Sequence, residues 1–129
     1  MSEKFKVEII SPDQSILKMD TKEVIIPSYE GEMGILKDHI SIISFLKPGI
    51  IKVNSKSGEE SFYVEDGIVE FKDNNLSILT SSIFNMKDMN GDKKAEMLKS
   101  AEEASNNAEI TDQAKFIIDQ KIEVLKTIN

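Results

Sequence analysis

The feature that most restricts this chain is a single change of hydrophobic period, which falls near Phe84. Before it the apolar residues come in short runs broken by turn formers. After it they recur at helical spacing. Phe5, Val7 and Ile9 alternate with Lys6 and Glu8, the pattern of a strand with one buried face. Ser11-Pro12-Asp13 ends that strand, because proline fixes φ and aspartate favours turn geometry. Val24-Ile25-Ile26 is a β-branched run that stops at Pro27, and Tyr29 to Gly34 reads as a turn with two glycines. The next apolar run takes in Ile40, Ile42, Ile43, Phe45 and Leu46, and Lys47-Pro48-Gly49 closes it.

Three further strands are expected over Ile50 to Val53, Ser61 to Val64 and Ile68 to Phe71. Asn54-Ser55-Lys56-Ser57-Gly58 and Asp66-Gly67 separate them, and Asp73-Asn74-Asn75 turns the chain into Leu76 to Leu79. Many short strands at close intervals, with no helix long enough for a βαβ crossover, predict an all-β sandwich or barrel. That part is expected to run to about Ser82.

Asp92 to Ser105 is rich in alanine, lysine, glutamate and methionine, all good helix formers. Asn106-Asn107 interrupts it, and Thr111 fits the N-cap of a second helix ending near Ile128. The expected architecture is an all-β sandwich over residues 1–85 and a C-terminal α-helical hairpin over 86–129. In the second helix Ala114, Ile117, Ile118, Ile122, Val124, Leu125 and Ile128 fill an arc wider than an ordinary amphipathic stripe. One neighbouring helix would not cover it. The first helix offers Met97 and Leu98, and otherwise Ala95, Ala101, Ala104 and Ala108, so few strong contacts are expected to hold the hairpin. Phe116 falls among polar residues by its phase, which points to a contact outside the hairpin.

Charge narrows the function. All 16 basic residues are lysines and the net charge is −7, so the chain has neither the basic stripe that phosphate backbones need nor arginine's planar fork. Nucleic acid is not an expected partner. The absence of cysteine excludes disulfides, cysteine-ligated zinc and thiol nucleophiles. The start, Met1-Ser2-Glu3-Lys4-Phe5, has no secretory pattern, and no apolar run approaches the length of a bilayer span. A cytoplasmic protein is expected, with a peripheral place beside a membrane left open.

No motif supplies catalysis. His39 is the only histidine, Asp38 is adjacent to it, and no Gly-x-Ser-x-Gly is present, so no triad assembles from sequence. Asp88-Met89-Asn90-Gly91-Asp92 opens like a calcium loop. Lys93 and Lys99 occupy the places that need glycine and a bidentate glutamate, so the match fails and no metal is expected. Asn75-Leu76-Ser77 fits a glycosylation sequon and is read as a hairpin turn.

Glu30-Gly31-Glu32-Met33-Gly34-Ile35-Leu36-Lys37-Asp38-His39, followed by Leu46-Lys47-Pro48-Gly49, resembles the epsilon subunit of F-type ATP synthases, whose mitochondrial counterpart is called delta. Val7-Glu8-Ile9-Ile10-Ser11-Pro12 looks like that family's first strand and turn. Asp66-Gly67-Ile68-Val69-Glu70-Phe71 is similar to its Gly-Gly-x-x-Glu-Val segment. The resemblance spans nearly the whole chain. It implies a flattened ten-stranded sandwich and a central-stalk role, coupling the gamma subunit to the membrane c-ring during proton-driven ATP synthesis.

It further implies that the turn carrying Glu32 faces the c-ring and that His39 lies near the gamma contact. The hairpin would serve as an arm that can inhibit ATP hydrolysis, with Lys115, Lys121 and Lys126 against acidic surface of the catalytic head. The chain departs from the family at Asp38 and Asp66, where glycines are usual. It departs again at Met89-Asn90-Gly91-Asp92-Lys93-Lys94, where nucleotide-binding members carry Ile/Leu-Asp-x-x-Arg-Ala. Asn90 and Lys93 are therefore only a degenerate nucleotide site, and no cofactor is expected. The implied location is the cytoplasmic face of the bacterial plasma membrane, reached through the complex. The rival readings are a freestanding β-sandwich binding module with a helical oligomerisation arm, and a small hydrolase using His39.

Overall fold

The computed structural model describes residues 3–55 and 58–128. Lys56 and Ser57, in the expected separator after Val53, lie outside them. The chain divides into two compact units, Met1–Met86 and Lys87–Asn129.

The first unit holds ten strands: β1 Phe5–Ile10, β2 Ser15–Thr21, β3 Glu23–Ser28, β4 Gly31–Leu36, β5 Ile42–Leu46, β6 Gly49–Ser55, β7 Gly58–Val64, β8 Gly67–Lys72, β9 Asn75–Leu79 and β10 Ile83–Asn85. Their order is β10-β7-β6-β3-β5-β8-β9-β1-β2, with β4 paired to β3 off that path. All pairings are antiparallel except β1 with β9, where Lys6 to Ile10 run alongside Asn75 to Leu79. The alternation read from sequence sets the inner face. Phe5, Val7 and Ile9 of β1, Val69 and Phe71 of β8, and Leu76 and Ile78 of β9 all enter one core. Phe5 meets Phe71 edge-on with ring centres 5.5 Å apart, a favoured aromatic geometry.

The structure departs from the sequence reading at five places. Ser15–Thr21 is a strand, although its apolar residues Ile16, Leu17 and Met19 are only partly buried and give no clean alternation. Gly31–Leu36 is a strand rather than a turn, and the turn shrinks to Tyr29-Glu30. Gly34 pairs with Ile25 inside this ladder, so its lack of a side chain does not break the strand. Pro27 does not stop β3, because it sits where β3 leaves β6 and takes up β5; its carbonyl accepts from the Lys47 amide at 3.0 Å. The β region also continues past Ser82, since Ile83–Asn85 pairs with β7. The sequon residue Asn75 opens β9, and the turn itself is Asp73-Asn74, both at positive φ.

Phe84 of β10 stacks on Tyr63 with ring centres 6.2 Å apart. The Tyr63 hydroxyl donates to Glu65 Oε2 at 3.2 Å. Burial, then the Glu65 charge, then this hydrogen bond push the phenol far above the ordinary tyrosine value. The folded chain therefore keeps this proton after the unfolded chain, titrating near ~10, has lost it. Stability is expected to fall as pH rises above about 10, and Tyr63→Phe to flatten that slope in alkaline urea titrations.

The second unit is a helical hairpin, α1 Gly91–Ser105 and α2 Asp112–Thr127. Asn90 caps α1 by accepting from the Lys93 amide at 2.7 Å, and Thr111 caps α2 by accepting from the Ala114 amide at 3.1 Å. Between the helices Ser105 Oγ donates to Asp119 Oδ1 at 3.0 Å near the turn. At the open end Lys94 Nζ donates to the Ile128 carbonyl. Of the alanines expected to line α1, only Ala101 is buried; Ala95 and Ala104 are exposed, as is Ala108 beyond the helix. In α2 Leu125 is fully buried, while Ile117, Ile118, Ile122 and Val124 are half-buried. Leu125→Ala is expected to cost the hairpin about 2–4 kcal/mol. Helical circular dichroism should report that loss while the β-sheet signal keeps its melting point.

Candidate functional site

Strand β5 decides where this molecule can bind something. It reads Ile42-Ile43-Ser44-Phe45-Leu46, with no polar residue at the outward positions Ile43 and Phe45. The one polar residue, Ser44, points inward instead. Its hydroxyl lies 3.0 Å from that of Ser28, and the Ser28 oxygen also accepts from the Glu30 amide at 3.1 Å. Both serines are buried, and among the described residues no buried side-chain polar atom lacks a partner. The pair lets serine occupy the core without the cost of an unmade hydrogen bond. A slip of one residue would reverse both faces of β5.

The outward side chains are strongly exposed, Ile43 at 70% and Phe45 at 58%. The register extends them into a row. Phe45 lies opposite Ile68 of β8, Ile68 opposite Leu79 of β9, and Leu79 beside Ile10 of β1. Ile68 and Leu79 are nearly half exposed, and Ile10 is half-buried. Tyr29, also exposed, donates its backbone N–H to the Phe45 carbonyl at 3.3 Å and borders the row. Across β5 and β8 an open groove is lined by Ser41, Ile42, Ile43, Glu70, Phe71 and Lys72. Apolar side chains aligned across four strands and left uncovered are the mark of a surface that another molecule covers.

His39 borders this face. Its ring lies edge-on to Phe71 with centres 5.9 Å apart, and Nδ1 is 2.7 Å from the Ile40 carbonyl. Among the described residues no serine or carboxylate is bonded to the ring, which packs against Phe71 and shows no triad. Asp38 takes a positive φ of 66°, the conformation for which glycine would be usual. It is held there by Asn74, itself at φ 60°: the Asp38 amide donates to Asn74 Oδ1 at 2.7 Å, and Asn74 Nδ2 returns a bond to Asp38 Oδ1 at 3.0 Å. Asp66 keeps its turn through the Thr80 hydroxyl, which donates to the Asp66 carbonyl at 2.7 Å, and through Ser81 Oγ, 3.1 Å from both carboxylate oxygens. Of the two departures from glycine, only Asp38 takes a positive φ, held by its bonds to Asn74, whereas Asp66 does not and is tied to Thr80 and Ser81.

Glu32 is exposed on edge strand β4, opposite Pro27, and so lies just beyond the turn rather than in it. Lys115, Lys121 and Lys126 do not share a face. At about 100° per residue Lys115 and Lys126 are about 20° apart around α2, whereas Lys121 is turned by about 120° or more from both. Lys121 is half-buried and the other two are exposed. Asn90, whose oxygen caps α1, is committed to the helix, and Lys93 is exposed on its first turn. Among the described residues no group of three or more His, Cys, Asp or Glu side chains is placed to hold a metal ion. Ile43, Phe45, Ile68, Leu79 and Tyr29 were not expected as site residues. The available signal was the Ile42–Leu46 run, apolar at both parities but for Ser44.

The model of the family described as ATP synthase, Delta/Epsilon chain, beta-sandwich domain matches residues 4–86. The ATP synthase epsilon chain of Pelagibacter ubique is 68% identical over 130 residues, covering 100% of both chains. The chain belongs to the epsilon-subunit family of F-type ATP synthases. The epsilon chain of Mesorhizobium japonicum is 30% identical, covering 99% of this chain and 95% of its own length. The epsilon fold also recurs in solved structures. A chain of the Euglena gracilis mitochondrial ATP synthase (OSCP, F1 and c-ring, rotational state 1) superposes with a TM-score of 0.77 at 22% identity, over 98% of this chain and 79% of that one. A chain of the Tetrahymena thermophila mitochondrial ATP synthase central stalk and c-ring gives 0.72 at 17% identity, over 95% and 93%. The epsilon family's β-sandwich followed by two helices is the fold found here. No helix among the described residues is long and apolar enough to cross a membrane.

Proposed function

We propose that this chain is a non-catalytic central-stalk subunit that binds gamma through the Phe45–Ile68–Leu79 face and transmits rotation between gamma and the c-ring. The observation that carries this reading is the uncovered apolar row across β5, β8 and β9, beside His39. Gamma as the partner is what the resemblance to the epsilon family implies. Glu32 would meet the polar loops of the c-ring from edge strand β4. The domain roles follow: residues 1–85 hold the lasting rotor contacts, and residues 86–129 form an arm that can dock on the catalytic head and slow ATP hydrolysis. Of the helix lysines, Lys115 and Lys126 are suited to that docking because they are exposed on one side of α2. The chain would sit at the cytoplasmic face of the bacterial plasma membrane, held there by the complex alone.

The deciding experiment mixes the protein with its cognate gamma subunit and then with the cognate catalytic head. Stable co-elution with gamma is expected, and its absence would remove the stalk reading. ATP hydrolysis is then compared between the full chain and one ending at Asn85, where β10 ends. Equal rates would remove the inhibitory arm and leave the stalk role intact.

A further inference from the structure

We propose that the Asn90–Gly91 step is a site of spontaneous deamidation, and that its isoaspartyl product opens the hairpin. Asn90–Gly91 is the chain's single Asn-Gly step. The asparagine is exposed, and a Cβ placed on Gly91 would meet nothing within 4 Å, so neither sterics nor packing shields the bond. The attacking group is also available. Gly91 is the first residue of α1, and the first amides of a helix have no carbonyl one turn earlier to bond.

The reaction needs only water. The Gly91 nitrogen attacks Cγ of Asn90 and gives up its proton. The bond from Cγ to the side-chain nitrogen breaks, and that nitrogen leaves as ammonia, closing a succinimide. Water then adds to one of the two ring carbonyls and reopens it, giving aspartate or isoaspartate.

The cap sets the rate. Asn90 Oδ1 accepts from the Lys93 amide at 2.7 Å, with the backbone extended at φ −92° and ψ 176°. Cγ reaches the Gly91 nitrogen only when that bond opens, so the reaction follows fraying of the first turn. The other Asx-Gly step behaves differently. Asp66 is bonded by Thr80 and Ser81, and Gly67 is packed against the Leu79 carbonyl, so that step is held.

The two products have opposite effects. Aspartate keeps a capping oxygen and adds negative charge at a helix N-terminus, which is favourable. Isoaspartate adds a methylene to the main chain and removes the capping side chain. The turn it loosens carries Lys94, whose Nζ bonds the Ile128 carbonyl at the end of α2. Losing the cap therefore also loosens the open end of the hairpin. This chemistry does not depend on the role proposed for the arm.

The test incubates the full-length protein at mildly alkaline pH, in buffer and in unfolding urea, and maps deamidation by peptide mass. Isoaspartate is measured with an isoaspartyl methyltransferase. Asn90 is expected to be modified several-fold faster than Asn54, Asn74 or Asn106, and to react about fivefold faster in urea, the factor a cap of this kind is worth. Chains carrying isoaspartate should be cut sooner by trypsin at Lys93 and Lys94. Asn90→Ser, which keeps a capping oxygen and has no amide to lose, should stay intact at this step and resist trypsin as fresh protein does. Equal modification of all asparagines would overturn the site, and equal rates in buffer and urea would overturn the role of the cap. Unchanged trypsin resistance of the isoaspartyl chain would overturn the opening of the hairpin.

Discussion

Phe45→Asp is expected to leave the β-sandwich folded and to weaken the proposed binding to gamma by about a hundredfold or more. The side chain is 58% exposed and lies on the outer face of β5, so the fold loses little when the ring is removed. Binding would lose much more. Phe45 stands at the head of the row formed with Ile68 and Leu79, where a partner would exclude water from the ring. Aromatic anchors in such places commonly account for about 2 kcal/mol or more when truncated. A carboxylate left there without a partner adds a desolvation cost. Calorimetric titration with gamma measures the loss, and the melting temperature of the free subunit checks the fold. Lys18→Asp serves as a control, since Lys18 is an exposed residue of edge strand β2. Unchanged affinity in Phe45→Asp would place the gamma contact on another face.

Gly67→Ala is expected to be strongly damaging to the β unit, because it combines a positive φ with a close backbone approach. Its backbone sits at φ +153°, and an added Cβ would lie 2.8 Å from the Leu79 carbonyl oxygen and 2.9 Å from Leu46 Cδ1. The first contact is with backbone in the neighbouring strand and cannot be relieved by a rotamer change. Strained φ and overpacking each cost on the order of 1–3 kcal/mol, so a loss of about 2–5 kcal/mol is expected. Against a total of about 5–15 kcal/mol that is a large share. Thermal unfolding should show it as a drop of about 10 °C or more. Gly31→Ala separates the two contributions, since Gly31 has φ +118° and nothing within 4 Å of the added carbon. A similar drop in both variants would mean that backbone strain, and not the close approach to β9, governs the cost.

Much of the fold was legible because most strands have one wet face. β1, β8 and β9 alternate cleanly, and the helix cap at Thr111 follows ordinary side-chain preferences, whereas the Asn90 cap was not expected. β2 was hidden because an edge strand with partly buried residues on both faces has no clear period. β4 was hidden because two glycines, read locally, indicate a turn, and only its pairing with β3 makes it a strand. β10 is three residues long, too short for any period.

The candidate binding face was hidden for a different reason. An apolar run such as Ile42–Leu46 fits a strand buried on both sides and a strand exposed on one. Only the inward Ser44, paired with Ser28, fixes which side of β5 faces water. Proximity to the gamma contact was assigned to His39 through a motif, whereas the apolar residues beside it have no motif of their own.

The parallel pairing of β1 with β9 carries a consequence for the order of assembly. Phe5–Ile10 can pair with Ser15–Thr21 as soon as both have been synthesised, because that hairpin is local. Its other edge has to wait for Asn75–Leu79, made only after six further strands. Contacts this distant along a chain form slowly. Throughout that interval an apolar strand presents open hydrogen-bonding groups to any neighbouring chain, a known route to aggregation. Chains interrupted before β9 should therefore associate through β1, while the helical hairpin, built from nearby residues, can form without that delay.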